Sequence, residues 1–367
     1  MSGGVDSSVT AFVLKEAGWN ITGITMRLPV VESCDFKRSC CGVQAAYVCR
    51  DLDIPHYFLD VREEFRAQVI EPFQTAYAAG WTPSPCVECN TVFKFGVVWD
   101  FIEREMCISK IATGHYAQVK EVDGRWSLLR GAQKSRDQSY FLYGIKAARL
   151  KNLVLPLGGW TKEDVRRRAA DRGLRVAERQ DSMELCFAGE GDYRNALGAA
   201  GREPGNIVNM QGAVIGRHTG IANFTHGQRR GLGVAATEPL YVLGIRPDCN
   251  EVVAGVRADA MMHIVEAGEV NVLDDATLRE GARLLGKVRS GGDPMPCRVE
   301  SLCEVGDERS ISMTVRFDLP LFAPTPGQKL VLYDNNERLI AGGTIHRARC
   351  VPASRRGESE PRSEQGR

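Results

Sequence analysis

Apolar residues in the first half of the chain alternate between two patterns. Short apolar runs occupy 21–26, 54–60 and 108–113, and each is short enough for a buried strand. Between them the apolar positions take helical spacing. Val9, Phe12 and Val13 mark a helix from about Ser7 to Ala17, stopped by Gly18. Phe65, Val69 and Phe73 repeat every four residues in a second helix, opened by a capping box of Asp60 and Glu63 and closed near Gly80. Strand alternating with helix predicts a parallel sheet.

Next, Thr82-Pro83-Ser84-Pro85-Cys86-Val87-Glu88-Cys89-Asn90 carries two prolines. They predict an exposed loop, with helical spacing resuming at Phe93. Runs at 116–122 and 126–129 flank Asp123-Gly124, a hairpin signal. Arg136-Asp137-Gln138-Ser139-Tyr140 is read as another helix start. Thr161 and Asp164 cap a basic helix bearing Arg166, Arg167 and Arg168, which ends at Gly173.

From about Gly189 glycines become dense and the amphipathic helices stop. Runs at 283–288, 310–317 and 329–333 read as strands of a small β-barrel. The residues from Pro352 onward are Arg, Ser, Glu and Gly with almost nothing apolar, which predicts disorder. The expected organisation is therefore an α/β parallel-sheet domain over 1–188, a small central domain over 189–258 built around Gly227 to Gly233, a C-terminal β-barrel over 259–351, and a tail over 352–367. A chain of 367 residues has room for these parts.

Composition narrows the setting. The net charge is +1, so any nucleic-acid partner must be met by local clusters. Twelve cysteines are scattered without a dense loop framework, and no signal peptide or membrane-length apolar run precedes them. A reducing cytoplasm is the expected location, with no membrane partner.

The chemistry starts at Ser2-Gly3-Gly4-Val5-Asp6-Ser7-Ser8. Two glycines let the backbone approach a ligand closely, and the helix that follows aims its free amides at it. The plain alternative is a glycine turn that caps a helix. Asp6 is a candidate for ordering the loop, for holding magnesium on phosphates, or for capping the helix. Met1 abuts the loop directly, although such loops follow a buried strand, so Met1 is expected to be internal to the natural protein. Gly114-His115-Tyr116 marks the carboxyl end of the third strand, where ligands of open α/β sheets gather.

Cys86 and Cys89 sit at a loop-to-helix junction, where a helix dipole favours the thiolate. A Cys-x-x-Cys pair plus a distant cysteine also suits an iron-sulfur cluster. Cys34, Cys40 and Cys41 lack supporting histidines and are read as structural. Cys107, Cys249, Cys297, Cys303 and Cys350 are read as small core residues or surface thiols.

The loop resembles that of the ATP pyrophosphatases, and it lacks the Gly-Lys-Ser/Thr of the ordinary P-loop. Six segments in order resemble the tRNA-specific 2-thiouridylases over nearly the whole chain: that loop, Pro-Cys-x-x-Cys-Asn, Ala-Thr-Gly-His-Tyr, Asp-Gln-Ser-Tyr-Phe, Asp-Ser-x-x-x-Cys-Phe, and Phe-Thr-x-Gly-Gln-Arg-Arg-Gly-Leu-Gly. The resemblance implies ATP-dependent replacement of the C2 oxygen of a wobble uridine by sulfur. ATP with Mg2+ would adenylate the oxygen, and a cysteine persulfide would supply the sulfur. By the same resemblance Cys186 carries the persulfide and Cys89 is its partner thiol, with Cys86 a third thiol or a cluster ligand.

The implied ATP contacts are Ser2, Gly3, Gly4, Val5, Asp6, Ser7, Ser8, Met26 and Gly114. The implied tRNA contacts are Ser84, Pro85, Cys86, His115, Arg136, Asp137, Gln138, Arg289, Ser290 and Gln328. For Met26 the plain alternative is strand packing, and for His115 packing beside the sheet. Partners would be tRNA and a persulfide donor, either a cysteine desulfurase or a relay protein. Two rival readings remain: a nitrogen-transferring ligase with the same loop, for which no glutaminase-like segment is recognisable, and a redox or metal-cluster RNA-binding module.

Overall fold

A computed structural model describes residues 1–29, 42–174, 176–177, 185–188, 193–198, 201–305 and 310–350. Cys34, Cys40 and Cys41, all of Asp181 to Glu184 and the tail beyond residue 350 lie outside the described residues.

The first unit opens with helix α1 (Val5–Glu16), strand β1 (Gly23–Arg27), helix α2 (Val43–Asp51) and strand β2 (His56–Asp60). The two strands pair in parallel, with Gly23 opposite His56 and Arg27 opposite Asp60. Gly18, at φ 81°, ends α1 where the sequence placed its stop. The buried face of α1 is Val5, Val9, Ala11 and Leu14. Phe12 lies at its edge instead, under the guanidinium groups of Arg168 and Arg172.

A long helix, α3, spans 62–78 and buries Phe65, Val69, Phe73 and Tyr77 along one stripe. Its start differs from expectation. The residue before its first turn is Val61, and Asp60 pairs with Arg62 rather than with a helix amide. Helix α4 spans 85–106 and has Pro85 in its first turn. The two prolines therefore do not hold Cys86 and Cys89 in a loop. A proline at the first helical position gives up an amide that has no partner there anyway, so the helix begins eight residues ahead of Phe93. Its middle, Cys89–Val98, is wound as a π-helix.

Strands β3 (Ile111–Ala112), β4 (Ala117–Val122), β5 (Arg125–Arg130) and β6 (Leu153–Val154) follow. β3 and β6 form a second parallel pair. β4 and β5 form the hairpin, with Asp123 and Gly124 both at positive φ, as a type I′ turn requires. Residues Lys134–Arg136 and Ser139–Leu142 form 3-10 turns in place of the expected helix. Helix α5 (Lys162–Asp171) carries the capping box of Thr161 and Asp164.

The central unit is a four-stranded sheet of β7 (Gly205–Val208), β8 (Val214–His218), β9 (Tyr241–Arg246) and β10 (Glu251–Gly255), in the order β8-β7-β10-β9. Ile207, Phe224, Leu232, Val242 and Val252 form its core. The last unit is a closed barrel of β11 (Met261–Val272), β12 (Arg283–Lys287), β13 (Met295–Val305), β14 (Ser310–Phe322), β15 (Lys329–Tyr333) and β16 (Leu339–Arg349). Pairing of β11 with both β14 and β16 closes it, which removes free sheet edges.

The barrel is not a separate bead. Every residue of β15 is buried, and Val331 and Tyr333 share a core with Val87, Phe95, Trp99, Tyr140 and Leu142 of the first unit. Buried apolar surface on this scale fixes the barrel against α4. No helix among the described residues is long and apolar enough to cross a membrane.

Candidate functional site

The glycine loop is shaped by its own hydroxyls. Gly3 takes φ 73°, and a Cβ there would sit 2.8 Å from Gln44 Cβ. Gly4 differs, with φ −86° and nothing closer to an added Cβ than Ser2 Oγ at 3.4 Å. Ser2 Oγ and Ser7 Oγ bond each other at 3.1 Å, Ser2 Oγ accepts from Gly4 N, and Ser7 Oγ donates to Gly4 O. The Ser8 hydroxyl is fully buried and donates to Gly4 O at 2.8 Å. Ser8 thus braces the loop from within.

Asp6 is where the loop meets the rest of the unit. Lys162 Nζ, from the first turn of α5, donates to Asp6 Oδ1 at 2.8 Å and to Oδ2 at 2.9 Å. Tyr116 donates its hydroxyl to Oδ1 at 2.7 Å. Asp6 orders the loop in this arrangement. It is not the cap of α1, whose N-cap residue is Gly4 with no side-chain bond.

Lys162 escaped the sequence reading, which saw only a basic helix. The signal was its place at the first helical position, beside a capping box, where a lysine opposes the helix dipole and needs another reason to be there.

Gly114 completes the loop's setting. A Cβ at Gly114 would lie 2.8 Å from the Asp6 carbonyl carbon, so the loop backbone passes close against this glycine. Met26 packs against the core of α3 and α4, along with Ile24 and Leu59. His115 bonds Thr113 Oγ1 through Nδ1 at 2.8 Å and lies 6.0 Å from the Phe95 ring. Burial, with Lys94 adding to it, pushes its pKa down to about 3.

Of the paired thiols, Cys86 lies in the first turn of α4 and Cys89 opens its π-helical stretch. Cys86 reaches solvent and Cys89 is buried. Sequence alone suggested that the helix dipole would favour thiolates here. Instead desolvation raises both pKa values, at Cys86 by the protein packed around its exposed side chain, and Cys89 raises that of Cys86 further, while Lys94 works in the opposite sense on each. Cys89 packs with Phe65, Phe93 and Val98, which desolvates its thiol. Lys94 Nζ is anchored on Asn90 Oδ1 at 3.2 Å.

Cys186 is exposed in a turn, and its neighbour Phe187 is buried. Phe187 enters the core that contains Cys89: the Phe65 ring lies 5.1 Å from Phe93 and 5.8 Å from Phe187. Residues almost a hundred positions apart are therefore drawn to one core.

Among the described residues, no group of three His, Cys, Asp or Glu side chains is gathered to hold a metal ion. Cys297 is a core residue, and Cys107, Cys249, Cys303 and Cys350 are exposed.

The residues expected to meet tRNA separate into two groups. Asp137 is buried, and its carboxylate accepts from Arg130 Nε, Gly131 N and Ser139 N. Gln138 accepts from Tyr116 N, and Gln328 donates to Thr82 O at 3.0 Å and Pro83 O at 3.4 Å. These three spend polar atoms inside the protein. Arg136, Arg289 and Ser290 are exposed, although Arg289 also donates to Phe322 O. Ser84 and Pro85 start α4, and Lys329 of β15 forms an ion pair with Glu88, between the two cysteines.

A glycine loop feeding a helix beside parallel strands, with thiols on a neighbouring helix and a barrel packed on it, defines a HUP-domain protein with two appended β units. The family model described as tRNA methyl transferase HUP domain matches residues 1–190, the tRNA methyl transferase PRC-barrel domain matches 197–256, and the aminomethyltransferase beta-barrel domain matches 262–345. The chain belongs to the tRNA-specific 2-thiouridylase family. The tRNA-specific 2-thiouridylase MnmA of Xanthobacter autotrophicus is 40% identical over 96% of this chain and 93% of its own length. That of Azorhizobium caulinodans is 41% identical over 95% and 92%, and that of Chloroflexus aurantiacus 41% over 95% and 97%.

Proposed function

We propose that this chain is an ATP-dependent sulfurtransferase acting on the C2 position of the wobble uridine in tRNA. The observation that supports the mechanism is the common core of Cys89 and Phe187, the residue next to Cys186. Two thiols are needed because one must hold a sulfane sulfur and another must release it.

In the proposed reaction ATP lies with its phosphates over the Gly3-Gly4 turn and the amino end of α1. Asp6 is held by Lys162 and Tyr116, so the turn is already formed when nucleotide arrives. The uridine O2 attacks the α-phosphorus and pyrophosphate leaves. The terminal sulfur of a Cys186 persulfide then adds to C2, and AMP departs with the former O2.

Cys89 thiolate attacks the Cys186 sulfur. The electrons of the broken S–S bond go to the sulfur on C2, giving the thiocarbonyl and a Cys89–Cys186 disulfide. A thiol reductant restores the pair, and a persulfide-bearing donor protein reloads Cys186. Because Cys89 is buried with a raised pKa, it becomes nucleophilic only after losing its proton near the reacting base. Magnesium would accompany the ATP phosphates. The exposed Arg136, Arg289 and Ser290 are proposed to meet the tRNA backbone.

The test is nucleoside mass spectrometry of tRNA incubated with the protein, magnesium ATP and a persulfide donor. Cys186→Ser abolishes thiolation. Cys89→Ser leaves a sulfurated Cys186 that does not deliver, and Cys86→Ser is mild. Full activity of Cys186→Ser defeats the proposal.

A further inference from the structure

Cys86 and Cys89 bracket two residues whose side chains reach into the barrel. Val87 is fully buried in a core with Val331 and Tyr333 of β15, and Glu88 forms an ion pair with Lys329 of the same strand. No side chain caps the start of α4, so the helix itself does little to fix its first turn. The barrel does it instead. Thr82 N donates to Pro326 O at 2.9 Å, and Gln328 Nε2 donates to Thr82 O and Pro83 O. Gly327 takes φ 91°, and a Cβ there would lie 2.9 Å from the Thr82 carbonyl carbon. The barrel turn 326–329 thus grips the segment 82–88 with every one of its residues.

Lys329 is the unusual member of that grip. It is 4% exposed, in a strand whose every residue is buried, and lysine is rare at such depth unless paired. Besides pairing with Glu88, its Nζ donates to Thr344 Oγ1 at 2.9 Å, and Thr344 in turn donates to Glu269 Oε2 at 2.9 Å. Its backbone is locked as well: the Tyr140 hydroxyl donates to Lys329 O at 3.0 Å and accepts from Lys329 N at 3.1 Å. A buried ion pair is a poor route to stability, because apolar residues of similar volume do as well or better, and what the pair adds is a fixed geometry. One end of this pair is rigid in the barrel. The other is the residue before Cys89.

We infer that Lys329 and Glu88 are positioning residues for sulfur transfer, through which the barrel sets the cysteine turn so that Cys89 meets the sulfur of Cys186. The inference rests on the sulfurtransferase reading and adds to it two residues that act through Cys89. In that reading Cys89 must approach the Cys186 sulfur in line with the S–S bond that it breaks. A misplacement of about 1 Å at a reacting group costs up to about a hundred-fold in rate.

The test starts from full-length protein loaded with persulfide on Cys186 and separated from the donor. Without RNA, Cys89 gives up its proton and attacks the inner sulfur, and hydrosulfide leaves with the electron pair of the broken S–S bond, so that a Cys89–Cys186 disulfide remains. Sulfide release therefore reads the alignment of the two thiols with no adenylation step, and peptide mapping locates the disulfide. Glu88→Gln and Lys329→Met are each expected to slow sulfide release and single-turnover thiolation by about ten-fold, with tRNA-dependent pyrophosphate release within about two-fold of wild type. The double variant should be little slower than either single one, since both remove the same contact.

Melting temperatures check the fold. Glu88 is partly exposed, so Glu88→Gln decides the matter should Lys329→Met fail to fold. Sulfide release at the wild-type rate in folded Glu88→Gln protein overturns the inference and leaves the functional reading standing. An equal fall in sulfide release and pyrophosphate release marks a structural role and overturns it too. If loaded wild-type protein neither releases sulfide nor thiolates tRNA, the functional reading falls and this inference falls with it.

Discussion

Lys162 Nζ lies 2.8 Å from one oxygen of Asp6 and 2.9 Å from the other, and it joins residues 156 positions apart. The lysine is 3% exposed and the aspartate side chain about a third exposed. Breaking a buried pair from one side leaves an uncompensated charge, at a cost of up to about 3 kcal/mol once the exposure of Asp6 is counted. Lys162→Met should raise the KM for ATP and lower the melting temperature, and Lys162→Arg should recover part of both. Pyrophosphate release and thermal melting measure the two effects. Unchanged kinetics in the methionine variant would remove the pair from loop positioning.

The two loop glycines are predicted to fail differently. Gly3→Ala forces a left-handed backbone and a clash with Gln44, so it should destabilise the fold by about 1–2 kcal/mol or more. Gly4→Ala meets only Ser2 Oγ at 3.4 Å and has an ordinary φ. It should melt like the wild type and still lose ATP affinity if the phosphates lie over the Gly3-Gly4 turn as proposed. A folded Gly4→Ala protein with unchanged affinity would place the nucleotide elsewhere.

Lys94 is the cation that opposes burial at both cysteines of α4. Removing it should raise both thiol pKa values further. The expected outcome for Lys94→Met is alkylation of Cys86 and Cys89 by iodoacetamide slowed several-fold at pH 8. Mass mapping of the alkylated peptides separates the two sites. Equal rates at pH 8 would show that Lys94 does not tune them.

Acid should unfold the protein early. Burial lowers the pKa values of His56, His115, His218 and His226 below 6.5, to about 3 for His115 and about 4 for His226. The unfolded chain then binds more protons than the folded one below pH 6.5, so stability rises with pH there. It is fully present above about pH 6.5 and is lost as pH falls toward 4. Each histidine contributes at most about 1.4 kcal/mol per pH unit. Melting temperatures from pH 8 to pH 4 test this, and a curve flat to pH 4.5 would contradict it. His115→Gln should make the fall shallower.

Much of this protein was decided locally and is therefore readable from sequence. Asp123-Gly124 specifies its turn because both residues tolerate positive φ, and Thr161 with Asp164 forms its capping box within four residues. The stops at Gly18, Gly80 and Gly173 all take positive φ. The six ordered motifs likewise lead to the family from the chain alone.

Tertiary structure decided the rest, where local rules permit more than one answer. Pro85 serves equally to break or to begin a helix, and packing of Val87 against the barrel accompanies the second outcome. Asp60 had a nearer partner in Arg62 than in a helix amide. Asp137 and Gln138 read as surface polar residues, yet the fold fills their bonds internally. The bonding of Asp6 with Lys162 depends on segments brought together across the fold. Long-range contacts set burial, and burial sets which polar groups are satisfied and which are charged.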